Sequence, residues 1–221
     1  MSTDRPRRPR RDDGLFLLGL VGPAGSGKST VAQALQREGA RLIEADTLGH
    51  QVTDTDPEVR QALAAEYGPD VYRADGSLDR PKVAAVVFSD RAARERLDRL
   101  VHPKILARIA ASLDELRRTG FRGTVVIDAA LMLDWGLERG CDAVLAVIAP
   151  PNVQVQRLMR SRGWTEAQAK ARLAAQRDND TFRAAADETL VNEGTVEELE
   201  DAARAAWARL RSRSGAVSRH P

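Results

Sequence analysis

The stretch Gly22-Pro23-Ala24-Gly25-Ser26-Gly27-Lys28-Ser29-Thr30 restricts what this chain can fold into more than any other. It follows the apolar run Leu15–Val21 and precedes the helix-prone Val31-Ala32-Gln33-Ala34-Leu35-Gln36. Strand, glycine-rich loop and helix in that order, with G-x-x-x-x-G-K-[ST] spacing, is the layout of a phosphate-binding P-loop. Glycines let successive backbone N–H groups turn inward around phosphate oxygens. The helix that follows adds the positive end of its dipole at the same point. Lys28 is placed to reach the outer phosphates, and the Ser29 hydroxyl to ligate Mg²⁺. Read instead as a dinucleotide fingerprint from Gly25, the stretch puts Thr30 where the third glycine belongs. A triphosphate site is the better reading, with Gly22 to Thr30 as its ATP-binding residues.

The rest of the chain fits around such a loop. Apolar runs at Leu15–Val21, Arg41–Glu44, Thr124–Asp128, Ala143–Ile148 and Thr189–Val191 alternate with helical patterns, which predicts an α/β fold. The expected architecture is a five-stranded parallel sheet of the P-loop NTPase type, flanked by helices. From about 47 to 119 no strand is evident, and this region reads as an inserted helical lobe. Its parts are a helix near Pro57–Tyr67, a turn at Ala74–Ser77, a helix from Pro81 to Phe88, and a long amphipathic stretch carrying Leu97, Val101, Ile105, Ile109, Leu113 and Leu116. Pro103 is expected to kink or restart that last helix. Gly39 reads as a helix stop, and Thr165-x-x-Gln168 as a capping box. Val155, Leu158 and Met159 should share the buried face of the helix after the fourth strand.

These boundaries give a kinase-like domain over 14–212, with core 14–46 and 120–212 and a lid at about 157–168. Residues 1–13 read as a disordered basic arm holding Arg5, Arg7, Arg8, Arg10 and Arg11, and 213–221 as a polar tail. Net charge is only +2, with the basic excess at the two ends, so no nucleic-acid partner is expected. No apolar run approaches the roughly 18 residues of a membrane span. Cys141 is the single cysteine, which excludes an internal disulfide and a cysteine zinc site and suits a reducing cytoplasm.

Phosphoryl transfer needs a group to position the attacking oxygen. Asp46 lies 18 residues past Lys28, room for one helix, a turn and one strand, so both should emerge on the carboxyl edge of the sheet. A carboxylate there can accept a proton or hold Mg²⁺ through water; Asp46 can equally cap the helix that follows. Arg157, Arg160 and Arg162 can close over the triphosphate, or form a solvated helix face. His102, beside a proline, reads from the pattern alone as a helix-start residue. No [NT]-K-x-D guanine-reading motif occurs, which argues against a GTPase switch.

The chain from about Leu15 to Leu210 resembles the dephospho-coenzyme A kinase family. The matching pieces are Gly25–Ala32, Ala45-Asp46, Asp75-Gly76-Ser77-Leu78-Asp79-Arg80, Val87-Phe88 and Leu97-x-x-Leu100-Val101-His102-Pro103-Lys104-Ile105, then Arg157-Leu158-Met159, Ala174-Ala175-Gln176, Ala186-Asp187 and Asn192-Glu193-Gly194. The resemblance implies transfer of the ATP γ-phosphate to the ribose 3′-hydroxyl of dephospho-coenzyme A, the last step to coenzyme A, in the cytoplasm and with Mg²⁺. Carried over by position, Asp46 is the base, Lys28 the phosphate clamp and Arg157 the lid arginine. Arg80 and His102 fall in an acceptor-binding lobe. A monomer or weak homo-oligomer is expected. Departures from the family pattern are Val21 and Pro23 at the loop's mouth, Glu44, Ala130, Met132, Asp134, Ser161 and Val191. Another small-molecule P-loop kinase, or a kinase-derived nucleotide-binding regulator, remains as an alternative.

Overall fold

The structure, a computed structural model, describes residues 13–87 and 90–216. The arginines of the expected arm, Phe88 and the end of the expected tail lie outside the described residues. The chain divides into two compact units, Met1–Ile43 with Gly120–Pro221, and Glu44–Thr119.

The first unit is built on a five-stranded parallel sheet of order β2-β3-β1-β4-β5. Its strands are β1 (Leu15–Val21), β2 (Arg41–Glu44), β3 (Gly123–Asp128), β4 (Ala143–Ile148) and β5 (Glu188–Val191). β1 pairs with β3 on one side, Leu20 opposite Asp128, and with β4 on the other, Val21 opposite Ala146. The chain therefore reverses its direction of travel across the sheet at β1, the place where open α/β sheets bind ligands at their carboxyl ends. β1 and β4 are apolar along their whole length because both faces are covered. On one face Leu18, Leu20, Val126, Leu145 and Val147 pack against α1 (Lys28–Arg37) and α10 (Val196–Ala216), through Val31, Leu35, Leu199, Ala203 and Leu210. On the other, the short α6 (Met132–Trp135) places the Met132 thioether where a Cβ on Gly19 would stand, 2.8 Å away.

Two aspartates close the strand entrances by one device. Asp142 N–H donates to the Leu17 carbonyl at 2.8 Å while its carboxylate accepts from Leu17 N–H at 2.7 Å. Asp187 does the same with Val144, at 2.8 and 2.7 Å. Each ladder thus gains a paired rung at an end where a buried N–H would otherwise lack an acceptor.

The remaining helices of this unit are α7 (Pro151–Arg162), α8 (Glu166–Ala174) and α9 (Asn179–Ala185). The capping box is present, with the Thr165 hydroxyl on Gln168 N–H and the Gln168 side chain on Thr165 N–H. Gly39 stops α1 as expected: its N–H donates to Gln36 and Ala40 N–H to Leu35. Three sequence expectations change. Met159 is 38% exposed, and Gln154 takes the inward place beside Val155 and Leu158. α9, with Phe182 buried, was not anticipated. α10 continues to Ala216, into the segment expected to be a polar tail.

The second unit is helical, with α2 (Ala45–Thr55), α3 (Pro57–Tyr67), α4 (Arg80–Val87) and α5 (Arg91–Arg118). α2 is the helix that the sequence reading placed after Asp46 without giving it a range. It packs on α5 across a contact that Gly49 keeps close, a Cβ there lying 3.1 Å from Ile105 Cδ1. Asp56 caps α3 ahead of Pro57, and Asp90 caps α5. Between α3 and α4 a tight turn at Gly76 brings Tyr72 and Leu78 into an antiparallel bridge. α5 runs as one helix through Pro103, so the expected restart does not occur. His102 accordingly sits mid-helix and not at a helix start. The buried Ile105, Ile109 and Leu113 hold the stretch helical although Pro103 supplies no N–H.

Candidate active site

The loop between β1 and α1 owes its path to two glycines in particular. Gly22 has φ +145°, and a Cβ there would stand 2.0 Å from the Val147 carbonyl oxygen of β4. Gly27, at φ +104°, is the cap position of α1 and has no side chain to satisfy the first-turn N–H groups. The first-turn donors thus have no side-chain cap at this position, as an anion site at a helix N-terminus requires. Lys28 is the first residue of α1, and its ammonium donates to the Gly22 carbonyl at 2.8 Å, which keeps the charge at the loop's mouth. Ser29 is exposed in the same turn, whereas Pro23 and Ser26 are buried beneath it.

Long-range side chains hold this loop from below. Gln176, beyond α8, accepts from Ala24 N–H at 2.9 Å. Asn192, just past β5, donates through Nδ2 to the Ser26 carbonyl at 2.7 Å. Arg157 of α7 donates to Asn192 Oδ1 at 3.0 Å and to the Gly25 carbonyl at 3.5 Å. The structure thus brings Lys28, Arg157 and the loop backbone together. Arg160 and Arg162 are exposed on α7, and among the described residues no hydrogen bond or ion pair joins either to the loop.

Asp46 is the second residue of α2, in the helical unit. The cap position belongs to Glu44, whose side chain makes no capping bond, so Asp46 is not the cap. Arg80 opens α4, and its guanidinium donates to Asp54 Oδ2 at 2.8 Å and to the His50 carbonyl and Thr53 hydroxyl at 3.3 Å each. These donors satisfy the C-terminal turn of α2, which has no basic residue of its own. Burial pushes the Asp54 carboxyl up, but hydrogen bonds from Leu78 N–H and Arg80, with the nearby positive charges, outweigh it and hold the carboxyl below its ordinary range. His102 lies on α5, with its Nε2 buried.

One carboxylate that the motif reading passed over stands on the strand next to β1. Asp128 ends β3 opposite Leu20, so it reaches the same carboxyl edge from which Gly22 departs. A strand ending in Asp next to the loop strand is a signal available in sequence, but only once the strand order is known. The exposed Ser29 hydroxyl and this carboxylate are hard oxygen donors of the kind Mg²⁺ takes together with substrate phosphates. Among the described residues no group of three or more His, Cys, Asp or Glu could hold a metal by itself.

The family model for dephospho-CoA kinase matches residues 16–198. The dephospho-CoA kinase of Moorella thermoacetica is 38% identical over 196 residues, covering 89% of this chain and 92% of that one. That of Thermobifida fusca is 36% identical over 200 residues, covering 90% and 98%. Among solved structures, TT1252 from Thermus thermophilus superposes with a TM-score of 0.75 at 31% identity, over 88% of this chain and 97% of that one. A dephospho-CoA kinase from Campylobacter jejuni shares the fold, with a TM-score of 0.61 at 20% identity, over 89% and 97%. A phosphate cradle buttressed by Gln176, Asn192 and Arg157, on a chain matched by that model over most of its length, places this protein in the dephospho-CoA kinase family.

Proposed function

We propose that this protein transfers the γ-phosphoryl group of ATP to the ribose 3′-hydroxyl of dephospho-coenzyme A, giving coenzyme A and ADP in the cytoplasm. The observation that carries the reading is the loop between β1 and α1, where the Lys28 ammonium donates to the loop backbone and the Arg157 guanidinium is tied to the same backbone through Asn192. Such a pair neutralises charge that builds on the transferred group and the leaving oxygen. In the reaction the 3′-oxygen forms a bond to the γ-phosphorus and the bond from that phosphorus to the β,γ-bridging oxygen breaks. Asp46 takes the proton from the 3′-hydroxyl. Ser29 and Asp128 would hold Mg²⁺, which supplies charge neutralisation on the phosphates when bound. Arg80 and His102 belong to the acceptor side, Arg80 held in place by Asp54.

The test is direct. Purified protein with ATP, Mg²⁺ and dephospho-coenzyme A should yield coenzyme A by mass, at the roughly 1–100 s⁻¹ usual for kinases. Chelation of divalent ions should stop turnover and added Mg²⁺ restore it. No product beside an active relative would reject the reading, and a panel of nucleoside and sugar acceptors would identify a different acceptor.

A further inference from the structure

Asn192 belongs to a stretch that the family resemblance marks, yet no step of the chemistry above uses it. It leaves β5 with its N–H on the Ile148 carbonyl at 2.7 Å, which extends the β4–β5 ladder by one residue. Its side chain then turns back beneath the loop, and the residue is only 5% exposed. Nδ2 sits 2.7 Å from the Ser26 carbonyl, and Oδ1 sits 3.0 Å from Arg157 Nη2. The orientation of the amide follows from its partners, since a carbonyl only accepts and a guanidinium only donates. Gly27 makes room for it: a Cβ there would lie 2.3 Å from Nδ2.

Among the described residues Arg157 has one other tie to the loop, the bond to Gly25 at 3.5 Å, which is at the limit of a hydrogen bond. The Asn192 contact is shorter and lies in the buried floor. Orientation of the guanidinium therefore depends on an amide that is itself anchored to the loop's backbone. Asparagine is the residue of this size with a donor and an acceptor on one carbon. Aspartate offers only acceptors, which would oppose the Ser26 carbonyl, and leucine offers neither.

We propose that Asn192 is a positioning residue for phosphoryl transfer, an amide bridge that sets the Arg157 guanidinium relative to the phosphate cradle. The proposal rests on the reading of Arg157 as the arginine that meets the transferring phosphate. Misplacement of such a group by about 1 Å costs on the order of 100-fold in rate, so the bridge is felt in kcat more than in substrate binding.

The experiment is a double-mutant cycle on the full chain, with kcat and both KM values measured for R157A, N192L, N192D and the R157A/N192L pair. N192L and N192D should each lower kcat by about 10- to 100-fold, with KM for dephospho-coenzyme A unchanged. N192D tests the bridge without a change of size, should N192L fail to fold. In the R157A background N192L should cost almost nothing more, because the guanidinium it positions is gone. A merely structural asparagine would lower the melting temperature and give kcat losses that multiply across the pair. Multiplying losses, or wild-type kcat in N192D, would overturn the bridge. Wild-type kcat in R157A would instead reject the underlying role of Arg157, so the two failures are told apart.

Discussion

The residues that matter most here are those whose chemistry has no substitute at their position. Gly22 is one: an added methyl would meet the Val147 carbonyl oxygen at 2.0 Å, a main-chain atom of a buried strand that has no room to retreat. G22A should therefore displace the loop, lower the melting temperature and weaken ATP binding together, as read by calorimetry and nucleotide titration. Retained ATP affinity would show that the loop reaches its shape without this glycine. Asp46 is a second. D46N keeps size and removes the proton acceptor, so kcat should fall by about 100- to 10,000-fold, the usual worth of a general base, with ATP affinity retained. Unchanged kcat would remove Asp46 from the base role. Glycine spacing and the Lys28-Ser29 pair were legible in the sequence because their constraint is local, whereas Asn192 stood there only as part of a matching piece, with nothing local to announce its role. Its partner carbonyl is 166 residues away along the chain.

At the scale of elements, the structure secures strand and helix ends with carboxylates. Asp187 supplies the acceptor for Val144 N–H at the start of β4, and D187A leaves that buried donor unmatched. The expected cost is about 1–3 kcal/mol, read as a drop in melting temperature of roughly 2–4 °C per kcal/mol for a chain of this size. Asp54 does comparable work in the helical unit, where it joins Leu78 N–H to Arg80. Its carboxyl titrates below the ordinary value of about 3.9 in the folded protein. Its contribution is thus complete above that value and is lost as pH falls through the depressed one, since the unfolded chain binds the proton first. Acid melting of the wild type should therefore steepen below about pH 4, and D54N should flatten that limb while starting less stable. A D54N curve parallel to the wild type would place the acid sensitivity elsewhere. Helix propensities showed α3, α4 and α5 in the sequence. They gave no extent for α2, whose Thr, Gly and His residues are weak helix formers held by packing on α5. At Pro103 the helix does not restart, because tertiary burial outweighs one missing hydrogen bond.

For the whole molecule, a nucleotide that binds only the folded state stabilises it in proportion to occupancy. ATP at 100 times its dissociation constant should add about 2.7 kcal/mol and raise the melting temperature by several degrees. The same excess of GTP tests whether the loop alone, which recognises phosphates, accounts for the binding. No shift with ATP would reject the nucleotide site. No helix among the described residues is long and apolar enough to cross a membrane. By itself the sequence determined the parallel α/β class, the loop with its lysine, and the family, because each is written in contiguous or regularly spaced residues. Only the tertiary structure decided that Asp128 stands beside the loop strand, since the β2-β3-β1-β4-β5 order depends on crossovers that local pattern does not encode. It also separated Arg157, tied to the loop, from Arg160 and Arg162 on the same helix, a distinction set by which way a helix face turns once α7 is packed. And it turned Gln176 and Asn192 from family markers into supports of the cradle, because a hydrogen bond is specified by where two atoms meet in space and not by how far apart they lie along the chain.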